Sequence, residues 1–230
     1  MVRQWLERSL RDVVPRNHRE TTRALRRRQC ITLGFVLLGA LVLSFSLRLE
    51  PGSNAFYGST VALAGVWIVG AFSSGPLHLG RIERRDIQVR PIVQPIALGL
   101  ALSLVFAVGG LVVNQIGPLA RQVAKVLDFA DQGSLPILIV ITAVNGIAEE
   151  LFFRGAGYAA IPRNPVTWTT VAYAIATAAT GNIMLTFAAI LLGVLVGLQR
   201  RASGGILAPI LTHCTWSFSM LIVLPLIFHT

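Results

Sequence analysis

Seven apolar segments, residues 30–47, 55–72, 91–115, 135–153, 166–180, 183–199 and 205–228, constrain this chain more than any other feature. Several reach the roughly 20 residues an α-helix needs to cross the hydrocarbon core of a bilayer. Only 13% of the residues are charged and 54% are hydrophobic, and the mean hydropathy is +0.68. A soluble domain carries about a quarter charged residues, so lipid is the solvent this sequence is written for. The expected fold is all-α: a polytopic transmembrane helix bundle of about seven spans over residues 30–230, preceded by a charged tail over residues 1–29. Between residues 116 and 133 a short interfacial helix is expected around 119–129. No second soluble domain fits.

The tail holds nine arginines against three acids. Trp5, Leu6, Leu10, Val13 and Val14 lend its start amphipathic character, which suits either a helix at the headgroups or a solvated tail. Placing the tail in the cytoplasm puts Arg81, Arg84, Arg85, Arg90, Arg154, Arg163, Arg200 and Arg201 on that side too, seventeen of the twenty basic residues in all. Arg48, Arg121 and Lys125 fall outside. An odd number of spans with a cytoplasmic N-terminus follows. A formal charge of +10 in such a chain sets orientation and meets anionic lipid headgroups; no nucleic acid partner is expected. Cys30 and Cys214 lie in different apolar segments without CxxC spacing, so neither a disulfide framework nor a thiolate metal site is indicated.

The fourth span ends in Glu149, Glu150 and Arg154. A charge at membrane depth costs at least about 2.5 kcal/mol and marks a functional candidate facing the bundle interior. Glu150 and Arg154, four residues apart, pair on one helix face. Glu149, about 100° around the helix, shares its stripe with Asn145 and is the candidate proton carrier. The blander alternative sets both acids at the headgroup boundary. In the last span Pro209, Thr212, His213, Trp216 and Ser217 interrupt the apolar run. Pro209 is expected to free the carbonyl of Gly205 and kink the helix before His213. His213 and Ser217 share a face and could donate to an oxyanion, although a lone membrane histidine more often makes a structural interhelical bond. Both clusters fall in the same half of the bilayer, so they can meet.

The string from Glu149 through Glu150, Leu151, Phe152 and Phe153 to Arg154 and Gly155 resembles the EExxxR-type signature of the CPBP family, which holds CaaX prenyl endopeptidases and bacteriocin-processing or self-immunity proteins. Gly181-Asn182, Arg200-Arg201 and the segment from Gly204 to His213 resemble its closing helices, so the CPBP-like core spans about 135–217. The resemblance implies a CaaX-protease-like fold and an intramembrane endopeptidase of a bacterial plasma membrane, cutting a peptide or protein substrate at the cytoplasmic side. It implies that Glu149 activates water, that Glu150 and Arg154 support it, and that His213 binds metal or stabilises the oxyanion. The implied cofactor is a divalent metal such as zinc, held by Glu149 and His213, or none. The family's middle motif, a phenylalanine followed four residues later by histidine, is missing; counted back from Gly181-Asn182 its histidine position falls near Thr180. Ser217 stands where the family has asparagine. Asn145, Thr180, Asn182 and Ser217 are the supporting candidates. The alternative is a catalytically inactive relative that binds peptides as an immunity or accessory protein. A proton-coupled transporter using the two acids as relays fits less well, because both lie near one face.

Overall fold

The computed structural model describes residues 6–14, 21–84, 87–132 and 134–228. Trp5, Arg85 and three of the nine tail arginines, Arg3, Arg16 and Arg19, lie outside them. Two long helices open the bundle: α1, Thr22–Ser46, and α2, Asn54–Ser74. Each starts where a hydroxyl caps it, Thr21 accepting from the Ala24 amide and Ser53 from that of Phe56, which satisfies a donor that a helix start otherwise leaves open. A short antiparallel hairpin follows, β1 (Ile82–Arg84) on β2 (Ile87–Val89), with Ile82 opposite Val89. Then come α3, Val93–Asn114, and α4, Gly117–Asp131. Helix α4 covers the stretch 119–129 where a short helix is expected; it turns Val123 and Leu127 inward and stands Arg121 in the open.

Helix α5 runs over Leu135–Ala160. Its backbone widens into a π-helical stretch at Leu151–Gly157, a form that occurs mostly as short insertions at functional sites. Three helices complete the bundle: α6, Pro165–Ala178, α7, Ile183–Ser203, and α8, Leu207–Phe228. Among the described residues six helices are long and apolar enough to cross a membrane. The seventh expected segment is α6, whose 14 residues extend about 21 Å, less than the roughly 30 Å hydrocarbon core. The all-α polytopic architecture stands, with one hairpin outside the bundle. Lipid-facing side chains such as Leu37, Leu41, Leu104 and Val108 are more than half exposed.

Two expectations change. Pro209 does not kink α8: the helix begins at Leu207, so this proline sits in the first turn, where its missing N–H is not needed. The chain before it bends through Gly204, at φ 68°, and the amides of Ile206 and Leu207 donate to the carbonyls of His78 and Leu79. The tail, in turn, docks on protein. Its π-helical turn Glu7–Arg11 leads to Val14, whose amide donates to the Arg201 carbonyl, and Arg201 Nη2 donates to the Leu10 carbonyl.

The core that positions the site lies between α1, α2 and α5. Trp67 stacks on Phe152 and Phe153 with ring centroids 4.7 and 5.1 Å apart, and all three side chains are buried. Gly39 on α1 makes room for the Trp67 ring, which a Cβ there would strike. The two phenylalanines that follow Glu149 and Glu150 are therefore clamped, and the rotation of the glutamates about α5 is fixed by packing.

Candidate active site

Glu150 and Arg154 are fully buried, and Arg154 Nη1 donates to Glu150 Oε1 over 3.2 Å. From α8, His213 brings Nδ1 to 2.8 Å from the same oxygen. Glu150 thus joins two cation-forming side chains from two helices inside the bundle. Arg154 is held from several sides. Its guanidinium lies 4.9 Å over the Tyr173 ring and 5.9 Å over the Phe153 ring, and its own carbonyl accepts from Arg200 Nε at 2.7 Å. Gly193 on α7 leaves space for it: a Cβ there would lie 3.2 Å from Arg154 Nη2.

Glu149 keeps a different environment. Its side chain is 16% exposed where that of Glu150 is 0%, so of the two carboxylates only Glu149 keeps open surface. The Tyr173 hydroxyl on α6 donates to Glu149 Oε2 over 2.5 Å. The same oxygen stands 4.0 Å from His213 Nε2. That is beyond hydrogen-bond range and short enough for one oxygen atom to touch both groups. Gly146, a turn before Glu150, faces α8, and a Cβ there would make an ordinary contact with the His213 ring at 3.7 Å.

The structure therefore gathers Glu149, Glu150, Arg154 and His213. Asn145 lies one turn from Glu149; its Nδ2 donates to the Ile141 carbonyl, and its buried Oδ1 has no partner. Ser217, a turn beyond His213, is half-buried and forms no hydrogen bond to the cluster. Thr180 and Asn182 are elsewhere. They belong to the α6–α7 turn, where Asn182 caps α7 by accepting from the Leu185 amide and donates to the Gln122 carbonyl of α4. Thr180 bonds locally to the Thr177 carbonyl. Both line a cavity of about 160 Å³ with Leu47 and Lys125, at the opposite end of α7 from Arg200.

Tyr173 was not anticipated. A tyrosine in an apolar helix ordinarily reads as core, yet the missing motif carried the signal: Tyr173 is an aromatic residue with Thr177 four places on. Counted from Tyr173, the histidine position is the buried Thr177, whose hydroxyl donates to the Tyr173 carbonyl, and Thr180 is displaced from that role. Arg154 and Arg200, counted among cations at the membrane face, are buried instead.

The donors do not fit a three-ligand zinc site. Glu149 Oε2 and His213 Nε2 are the only two that face each other, Nδ1 is engaged by Glu150, and no group of three His, Cys, Asp or Glu side chains converges among the described residues.

These features define a polytopic helical membrane protein with a buried carboxylate–imidazole site shared by α5, α6 and α8. Residues 131–219 match the model of the Rce1-like family, described as type II CAAX prenyl endopeptidase Rce1-like, so this part of the chain is similar to the CAAX-protease-like proteins. The match encloses every member of the cluster. Neither the curated proteins nor the solved structures contain a match.

Proposed function

We propose that this protein is an intramembrane endopeptidase that hydrolyses an amide bond of a peptide or protein substrate at the arginine-rich, cytoplasmic face of the membrane. The observation that carries this reading is the 4.0 Å gap between Glu149 Oε2 and His213 Nε2, beside the one carboxylate of the doublet that keeps open surface.

A water in that gap touches Glu149. Glu149 takes one proton from it while the oxygen attacks the scissile carbonyl carbon. The negative charge moves to the carbonyl oxygen, which accepts from His213 Nε2–H. Glu150 makes this possible: its carboxylate accepts from Nδ1–H, fixes the ring plane and balances a doubly protonated imidazole. As the tetrahedral intermediate collapses, Glu149 returns its proton to the leaving nitrogen, and the electrons of the C–N bond leave with that amine. Tyr173 acts through Glu149 as a positioning residue, holding Oε2 so that the carboxylate cannot swing into a direct ion pair with His213. Arg154 holds Glu150. No step requires a metal.

The test is cleavage by the purified full chain in liposomes, using a panel of membrane-anchored peptides that includes a prenylated CaaX peptide, with products identified by mass spectrometry. Glu149→Gln should abolish cleavage and leave the melting temperature within a few degrees of the parent. A parent that cleaves nothing in the panel while a cellular effect survives Glu149→Gln would replace this account with the peptide-binding, inactive relative. Stimulation by added zinc that depends on Glu149 and His213 would restore the metal-dependent version.

A further inference from the structure

A groove of about 610 Å³ opens on the outside of the bundle between α1, the end of α5 and α6. Its walls are apolar, formed by Leu33 and Val36 of α1 and by Trp168 and Ala172 of α6, and its rim carries Gln29 and Arg163. We propose that it is a binding site for one net-anionic glycerophospholipid. This assignment is independent of the hydrolytic reading.

The rim supplies the charge. Arg163 is exposed and makes no hydrogen bond or ion pair among the described residues. Its position is nonetheless fixed, because it stands between Pro162 and Asn164-Pro165 in a tight turn where Asn164 adopts φ 51°; prolines on both sides restrict the backbone. On α1, Arg26 lies three residues before Gln29 and seven before Leu33, so it extends the same stripe toward the membrane surface. It is exposed as well. Among the described residues no acidic side chain lines the groove. A zwitterionic headgroup would bring an ammonium toward the Arg163 guanidinium with nothing to neutralise it, whereas a phosphate without that ammonium is complementary.

Depth agrees with charge. Arg163 follows the last turn of α5 and Arg26 belongs to the first turns of α1, so both stand at the headgroup level of the arginine-rich face. Trp168 is 56% exposed and places its indole at the boundary where tryptophans anchor, with its N–H available to an ester carbonyl. Below it, Leu33 and Val36 extend the wall along α1 to receive an acyl chain. Leu33 is 63% exposed, so the trough is open to the bilayer from which a lipid would enter.

The experiment uses the full chain in a mild detergent, mixed in turn with phosphatidylglycerol and phosphatidylcholine of identical acyl chains, with bound lipid counted by native mass spectrometry. One phosphatidylglycerol should survive on the protein at concentrations where phosphatidylcholine is stripped. Arg163→Ala should weaken its retention about tenfold or more, the effect of losing one charge-assisted contact. Leu33→Trp, which fills the trough and leaves both cations, should weaken it as well, and Arg48→Ala, beyond the far end of α1, should not. Equal retention of the two lipids, an undiminished adduct in Arg163→Ala or in Leu33→Trp, or displacement by soluble glycerol phosphate as effectively as by lipid would overturn the proposal.

Discussion

Replacing Tyr173 by phenylalanine removes a single oxygen from the centre of the proposed machinery. The ring should stay where it is, packed against Phe153 with centroids 4.9 Å apart and beneath the Arg154 guanidinium. What is lost is the hydrogen bond to Glu149 Oε2. A hydrogen bond to a charged acceptor contributes about 1.5–3 kcal/mol. If that energy keeps the carboxylate aimed at the gap, its loss falls on the transition state and lowers kcat by roughly 10- to 150-fold. Substrate binding does not involve the hydroxyl, so KM should hold. The assay is steady-state cleavage of the best peptide in the liposome panel, run beside a thermal melt of the same preparation. A variant with parental kcat would refute the positioning role, as would a fall in kcat matched by collapse of the fold.

Other outcomes follow from the same geometry. Glu150→Gln breaks a buried ion pair and leaves Arg154 uncompensated, which should cost about 3–5 kcal/mol and appear as a large drop in melting temperature or in folded yield. Gly193→Ala presses a methyl against the Thr170 methyl at 3.0 Å and against Arg154 Nη2; overpacking should destabilise by about 1–3 kcal/mol, read by the shift in thermal midpoint. Trp67→Ala empties the contact that clamps Phe152 and Phe153 and should cost about 3–5 kcal/mol by the same measurement. Asn182→Ala should cost about 1 kcal/mol through the lost α7 cap and leave kcat unchanged, because Asn182 stands at the other end of that helix.

Much of the architecture was legible because lipid imposes a simple rule: a spanning helix must be apolar along its length, and the run lengths give the helices directly. The acidic doublet was legible for the same reason, since two carboxylates in such a run need partners. Other features depend on neighbours distant in sequence. Pro209 looks like a kink until the backbone of residues 78–79 is seen to take up the amides just before it. Tyr173 looks like core until α6 is laid against α5, and only then does its hydroxyl meet Glu149. Thr180 stands beside Gly181-Asn182 in the sequence, and the structure gives its hydroxyl to the Thr177 carbonyl in the α6–α7 turn. Arg200 reads as a surface cation in the sequence, and the structure turns it inward to the Arg154 carbonyl.

Coupling between Glu149 and His213 is the most direct measure of whether these two side chains work in one step. Glu149→Gln, His213→Gln and the double variant should be compared for kcat on one peptide. Groups that act together in one transition state, Glu149 on the water and His213 on the carbonyl oxygen, behave as a unit, so the double variant should be no slower than the worse of the two single ones. Losses that multiply, or a single variant that keeps full activity, would mean that the two residues do not serve the same step.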